Sequence, residues 1–152
     1  MSKISIIPLK EKKLLIDPNI GGQITLSESV DTQFKKECNV LHALNPGVES
    51  VIVIEPSGLL VLKWSSGEVD SEFTSSYVRE FLSLIKMTTN HYALGDPVGV
   101  MLEGKNGFFL VFNTEDKNSI IILIKEETSR STLRYRLMKD FAGRVEKLLS
   151  EF

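Results

Sequence analysis

The stretch Asn45–Trp64, which reads NPGVESVIVIEPSGLLVLKW, predicts the end of a helix followed by a β-hairpin. Pro46-Gly47 ends the preceding amphipathic segment, because proline lacks a backbone donor and glycine accepts the conformation that follows a helix. Ser50–Ile54 is rich in β-branched residues, which favour a strand. Glu55–Gly58 has the proline and glycine of a tight turn. Leu59–Trp64 is therefore expected to return as the partner strand.

This hairpin pattern resembles the roadblock (dynein light-chain) family. Its members typically show a short helix, a Pro-Gly-Val helix end, an aliphatic strand, a turn with glycine and an aliphatic return strand. The corresponding residues here are Pro46-Gly47-Val48, Val51–Ile54, Gly58 and Leu59–Leu62. The elements that follow along the chain test whether the resemblance extends beyond this hairpin.

Length and composition predict a small globular protein. The 152 residues suit one domain with an added terminal segment, and 42% of them are hydrophobic, which permits a buried core. The net charge of −2 gives no electrostatic reason to expect a nucleic-acid partner. The single cysteine, Cys38, fits a reducing compartment. No apolar run approaches the ~20 residues of a membrane span, so we expect a soluble cytoplasmic protein.

The first 28 residues lie outside the roadblock-like pattern, so we divide the chain into an N-terminal extension (1–28) and a domain (29–152). Three short strands are predicted in the extension, at Lys3–Leu9, Lys13–Ile16 and Gln23–Leu26. The extension could pack on an edge or face of the domain, or it could modify the choice of partner. The sequence leaves both alternatives open.

The domain begins with a predicted helix over 29–44, for which Ser29 is a plausible N-cap. Apolar residues recur along it at spacings of three and four. Cys38 lies on this apolar stripe, so we interpret it as a buried hydrophobic residue rather than a reactive thiol. His42 lies beside the stripe without a second ligand at metal-binding spacing, and we interpret it as structural.

A second predicted helix starts at Asp70 or Ser71 and runs to about Tyr92. At about 100° per residue, its apolar residues cover an arc of roughly 200°, whereas one sheet needs only about 100°. We expect Phe81 and Ile85 to centre the contact with the sheet. The surplus is covered either by residues 1–28 or by another protein, and we favour a subunit interface. The candidates on that flank are Phe73, Tyr77, Leu84 and Met87.

Three further strands and a closing helix complete the pattern. Val98–Glu103 and Phe108–Asn113 flank an Asn-Gly turn, which predicts a hairpin. Ile120–Ile124 is apolar at successive positions, as is Val51–Ile54, so both strands are expected at the centre of the sheet. The last helix is predicted from the caps at 128–131 to about Ser150. Basic residues crowd its start, and we interpret them as solvated, with contact to an acidic partner as the alternative.

The order of elements predicts an α+β fold. A five-stranded antiparallel sheet, with its first and last strands adjacent at the centre, would carry helices on both faces. This is also the α-ββ-α-βββ-α order of the roadblock fold, so the resemblance extends from about Ser29 to the C-terminus.

The resemblance implies a dimerising module without a cofactor. Roadblock subunits pair through the second helix and the edge strand after it, with themselves or with a sister subunit. On that basis Phe81, Val98, Val100 and Leu102 join the interface candidates. Many relatives bind Ras-like small GTPases, and some bacterial ones activate hydrolysis by reshaping the GTPase's own site. Candidate partner-binding residues on the polar side of the helix are Arg79, Ser83 and Lys86.

The sequence carries no recognisable catalytic constellation. Two histidines, His42 and His91, are too few and too isolated for a metal site. Neither a Walker loop nor Gly-x-Ser-x-Gly occurs. We therefore expect a regulator without an active site of its own. The alternatives are a purely structural adaptor or scaffold subunit, and a PAS-like small-molecule sensor with a pocket lined by Trp64 and the phenylalanines.

Overall fold

The computed structural model describes residues 29–67, 71–125 and 131–151. The predicted extension, residues 1–28, lies outside these described residues. The three helices are α1 (Val30–Leu44), α2 (Ser71–His91) and α3 (Ser131–Ser150), and the five strands are β1 (Val48–Ile54), β2 (Leu60–Ser65), β3 (Gly99–Gly104), β4 (Gly107–Asn113) and β5 (Ser119–Lys125). The described elements follow the predicted order, with bounds that differ by up to three residues.

All five strands form one antiparallel sheet in the order β2-β1-β5-β4-β3. The two strands predicted to lie at the centre, β1 and β5, are neighbours, and they pair from Val48↔Ile124 to Ile54↔Ser119. Both strands are buried on both faces along nearly their whole length. This explains why their sequences are apolar at successive positions instead of alternating.

Side chains at both ends of α1 bond to the backbone, and the one at Ser29 is the N-cap that the sequence predicted. The Ser29 Oγ accepts a hydrogen bond from the Thr32 backbone N–H at 3.1 Å, as an N-cap does. At the other end, the Nδ1 of His42 lies 2.9 Å from the Val48 carbonyl oxygen, which joins the helix to the start of β1. Cys38 is fully buried, and this burial raises the pKa of its thiol. His42 and Cys38 are therefore structural residues, as the sequence predicted.

Helix α2 covers one face of the sheet. Its Val78 belongs to a buried cluster with residues of β1, β4 and β5, namely Ile52, Ile54, Val111 and Ile121. On the opposite face, the indole N–H of Trp64 donates to the Asn39 Oδ1 of α1 at 2.9 Å, and Tyr135 of α3 packs on Phe112 with ring centroids 5.3 Å apart. Helices therefore lie on both faces, as the α+β prediction required.

The backbone contacts divide the chain into two compact units. The described residues of the first unit are 29–36 and 144–151, in which Phe34, Val145 and Leu148 are buried. The second unit, residues 37–143, contains the whole five-stranded sheet and α2. The candidate interface and partner-binding residues all lie in the second unit.

Candidate functional site

The side of α2 that packs on the sheet is centred on Val78 rather than on Phe81 and Ile85. Val78 is fully buried and Leu82 packs against the same cluster, whereas Phe81 and Ile85 are only half-buried. At about 100° per residue, this rotates the helix by roughly 40° from the predicted orientation. The rotation exposes more of the helix flank that carries Tyr77 and Leu84.

This apolar flank of α2 lies over β4, next to the edge strand β3. The Tyr77 ring is stacked on Phe81, with centroids 5.7 Å apart, and meets Phe109 of β4 edge-on at 6.4 Å. Tyr77 is 41%, Leu84 63% and Met87 67% exposed. Phe73 lies in the first turn of α2, but its side chain lies outside the described part of the structure.

The edge strand β3 continues this apolar surface. Val100 pairs with Val111, and Leu102 pairs with Phe109, so both side chains lie on the α2 face of the sheet. Val100 is half-buried and Leu102 is 42% exposed. Val98, which directly precedes the strand, is 66% exposed. The structure thus brings the interface candidates of α2 and those of β3 to the same face of the sheet. We call this set the α2–β3 surface: Tyr77, Phe81, Leu84, Met87, Val98, Val100 and Leu102.

The two edges of the sheet differ in their capacity to accept another strand. Among the described residues, β3 pairs only with β4, and its register runs without a break from Gly99 to Gly104. The other edge, β2, has a register shift opposite Val53/Ile54 and carries the exposed Lys63. A bulge and an edge lysine are features that discourage edge-to-edge pairing. Strand β3 is therefore the edge better suited to pairing with a second chain.

Asn113 at the end of β4 holds the beginning of β3 in place. Its Nδ2 donates to the Pro97 carbonyl at 2.9 Å, and its backbone N–H donates to the Val98 carbonyl at 3.0 Å. Its Oδ1 accepts from the buried Ser119 hydroxyl at 2.9 Å. Sequence reasoning missed this residue, since an asparagine after a strand is read as a turn signal.

An exposed ion pair near Asn113 joins the same two segments of the chain. The Lys117 Nζ lies 3.2 Å from an Asp96 carboxylate oxygen. The hydrogen bond from Lys117, with the lysine charge, lowers the pKa of the Asp96 carboxyl. Asp96 precedes β3 and Lys117 lies in the β4–β5 turn, so the pair links the approach to the edge strand with the neighbouring turn.

The predicted partner-binding residues Arg79, Ser83 and Lys86 lie on the other flank of α2. Arg79 extends toward the β1–β2 turn, where its Nη1 donates to the Ser57 carbonyl at 2.5 Å. The Ser83 hydroxyl donates to the Arg79 carbonyl at 3.2 Å, within the helix. On a helical wheel Lys86 falls within about 20° of Arg79. On the same wheel Tyr77 lies about 160° from Arg79, and Leu84 lies about 160° from Lys86, so these residues occupy opposite flanks of α2, with Met87 between the two flanks.

The described residues contain no group of three or more His, Cys, Asp or Glu side chains that could hold a metal ion. His42 bonds the Val48 carbonyl, and the His91 ring meets Tyr92 with centroids 4.8 Å apart. Among the described segments, no helix is long and apolar enough to cross a membrane. The exposed apolar side chains of the α2–β3 surface are suited to contact with another protein.

Similar folds occur among solved structures. Myxococcus xanthus MglB shares 13% identity at a TM-score of 0.67, covering 80% of this chain and 98% of that one. A Roadblock/LC7 domain from Streptomyces avermitilis shares 16% identity at a TM-score of 0.62, covering 76% and 97%. A structure described as "MglB with tetrameric arrangement" shares 8% identity at a TM-score of 0.70, covering 90% and 98%. These likenesses show the fold.

Sequence comparison identifies the family. Among curated protein sequences, none matches this chain. The model of the Roadblock/LC7 domain matches residues 38–125, which is 88 of the 152 residues and contains α2 and all five strands. The match agrees with the fold and with the hairpin that carried the resemblance. This protein belongs to the Roadblock/LC7 domain family.

Proposed function

We propose that this protein is a self-pairing interaction module that binds and regulates a Ras-like small GTPase without an active site of its own. One observation carries the self-pairing: the apolar flank of α2 and the unbroken edge of β3 lie on the same side of the sheet. Pairing β3 with its copy would extend the sheet through main-chain hydrogen bonds. The adjoining α2 flanks would bury their aromatic and methionine side chains, which are favoured at interfaces.

The GTPase part of the proposal rests on family membership. Many Roadblock proteins bind Ras-like GTPases, and the polar flank of α2, with Arg79, Ser83 and Lys86, is the proposed contact. A scaffold that only pairs with a sister subunit is the alternative within the family. A PAS-like sensor is disfavoured, because the single 21-residue helix α2 occupies the interval where PAS domains have several short helices.

Light scattering after size exclusion tests the self-pairing. We expect a mass of about 34 kDa, twice the 17.1 kDa of one chain. The double variant Tyr77→Lys with Leu84→Lys should be a folded monomer, because two ammonium groups cannot be buried unpaired in such an interface. The matched control is Val40→Lys with Leu44→Lys on α1, where the side chains are 57% and 76% exposed. An unchanged dimer mass for the first pair, or a monomer for the control, contradicts the assignment.

A pull-down from the native cytosol tests the GTPase part. The small GTPase that is recovered would be purified and titrated against this protein with GDP and with a non-hydrolysable GTP analogue bound. We expect saturable binding that differs between the two nucleotide states. Failure to recover any small GTPase above the level of an unrelated bait protein contradicts this part and leaves the self-pairing standing.

A further inference from the structure

Arg79 bridges α2 and the tight turn between β1 and β2. Its Nη1 donates to the Ser57 carbonyl oxygen at 2.5 Å. A charged donor makes this bond stronger than a neutral pair would be. The turn is closed by its own hydrogen bond from the Gly58 N–H to the Glu55 carbonyl at 2.7 Å. One arginine thus connects a helix and a turn that lie 22 residues apart along the chain.

Gly58 lets the arginine side chain lie directly over this turn. Its φ of +92° is a conformation that residues with a side chain rarely adopt. A Cβ added at Gly58 would also overlap the Arg79 Cδ and would lie 3.0 Å from its Nη1. The glycine therefore serves two purposes, since it closes the turn and leaves room for the arginine.

The base of the Arg79 side chain is fixed by its neighbour in the helix. Val78 is fully buried between α2 and the sheet, so the backbone from which Arg79 extends is held by the core. Since the guanidinium already donates to a main-chain carbonyl, reaching into a bound partner would require breaking that bond. The arrangement suits a side chain that holds a surface in place better than one that enters another protein's active site.

We propose that Arg79 is a positioning residue, which fixes the β1–β2 turn beside the polar flank of α2 so that the two form one partner-binding surface. The inference rests on the proposed function for the identity of the partner, a small GTPase. This role differs from that of an arginine supplied to the GTPase's bound nucleotide. The turn, in particular Pro56 and Ser57, becomes part of the contact surface together with Ser83 and Lys86.

A double-mutant cycle tests the positioning without any partner. Gly58→Ala, Arg79→Ala and the double variant are unfolded in urea at one protomer concentration. Gly58→Ala should lower the folding equilibrium constant of both the wild type and Arg79→Ala. We expect the decrease to be at least about threefold larger in the wild type, because substitutions of residues in contact do not have additive effects on stability. If the two substitutions have additive effects on the free energy of unfolding, the inference is overturned and the proposed function is unaffected.

Amide hydrogen exchange provides a second test, which does not depend on whether Gly58→Ala folds. Arg79→Ala should accelerate exchange of the Gly58 amide about tenfold or more, and Arg79→Lys, which keeps a charged donor, should restore most of the protection. Lys86→Ala, on the same flank, is the matched control and should leave that amide unchanged. Equal protection of Gly58 in Arg79→Ala and the wild type overturns the inference.

Binding and hydrolysis then separate positioning from a donated arginine. The probe is the purified small GTPase recovered in the pull-down. Arg79→Ala should weaken its affinity about tenfold and Arg79→Lys no more than about threefold, with the hydrolysis rate at saturation unchanged. An arginine supplied to the nucleotide is worth a factor of about 10³–10⁵ in rate. The inference is overturned if either variant lowers the rate of GTP hydrolysis at saturation, or if Arg79→Ala leaves the affinity for the GTPase unchanged.

Discussion

Replacing Val78 with alanine tests how α2 sits on the sheet. Val78 is fully buried against Ile52, Ile54, Val111 and Ile121, so truncating it leaves a gap between the helix and three strands. The sequence alone placed Phe81 and Ile85 at this position. A large loss of stability is therefore expected at Val78, because the structure places its side chain at the centre of the contact between α2 and the sheet.

The size of this loss follows from three contributions to the free energy of unfolding. Removing two buried methyl groups costs about 1.6 kcal/mol, at about 0.8 kcal/mol for each carbon. A remaining cavity of about 40 Å³ costs about 1 kcal/mol more, at 24 cal/mol per Å³. The better helix propensity of alanine returns about 0.5 kcal/mol. The net destabilisation is about 2 kcal/mol, or roughly a 30-fold lower folding equilibrium constant.

Urea unfolding at a fixed protomer concentration measures this loss, because self-pairing would make the apparent stability depend on concentration. Val40→Ala is the matched control, since Val40 lies in a helix and is 57% exposed. It gains the same helix propensity without opening a cavity, so its stability should be unchanged or slightly higher. A Val78→Ala cost below about 1 kcal/mol, or equal to that of the control, would refute the packing of α2.

Three further predictions concern the edge strand and the buried thiol. Asn113→Ala should destabilise the protein by about 2 kcal/mol and speed amide exchange in β3, because a buried hydroxyl loses its acceptor; Asn90→Ala, at an exposed helix position, should do neither. Since Lys117 lowers the pKa of the folded Asp96, the stability from this pair is present above the ordinary aspartate pKa and is lost as the pH falls through the lowered one. Urea unfolding from pH 7 to pH 2 should show this loss of stability at low salt and a smaller loss at high salt. The contribution should be absent in Asp96→Asn, and an unchanged dependence of stability on pH in that variant would contradict the pairing. The Cys38 thiol, whose pKa is raised by burial, should react with a thiol reagent only after unfolding, and rapid reaction of the native protein would contradict its placement in the core.

The local sequence determined the elements and their order. The β-branched runs at 50–54 and 120–124 form the two central strands because their side chains are apolar on both faces. The turn at Glu55–Gly58 forms because its proline has a preset backbone angle and its glycine accepts the positive φ that closes the turn. These preferences act over a few residues, which is why they could be read without knowing what packs against them.

The tertiary structure alone decided how these elements face each other. The wide apolar arc of α2 did not specify its orientation, and only packing against β1, β4 and β5 selected Val78 as its centre. In the same way, Arg79 was a single arginine on a helix until the fold brought Ser57 within hydrogen-bond distance. Contacts between residues far apart in sequence depend on the whole arrangement, so the sequence determined which residues were available for an interface, and the fold determined which of them lie side by side.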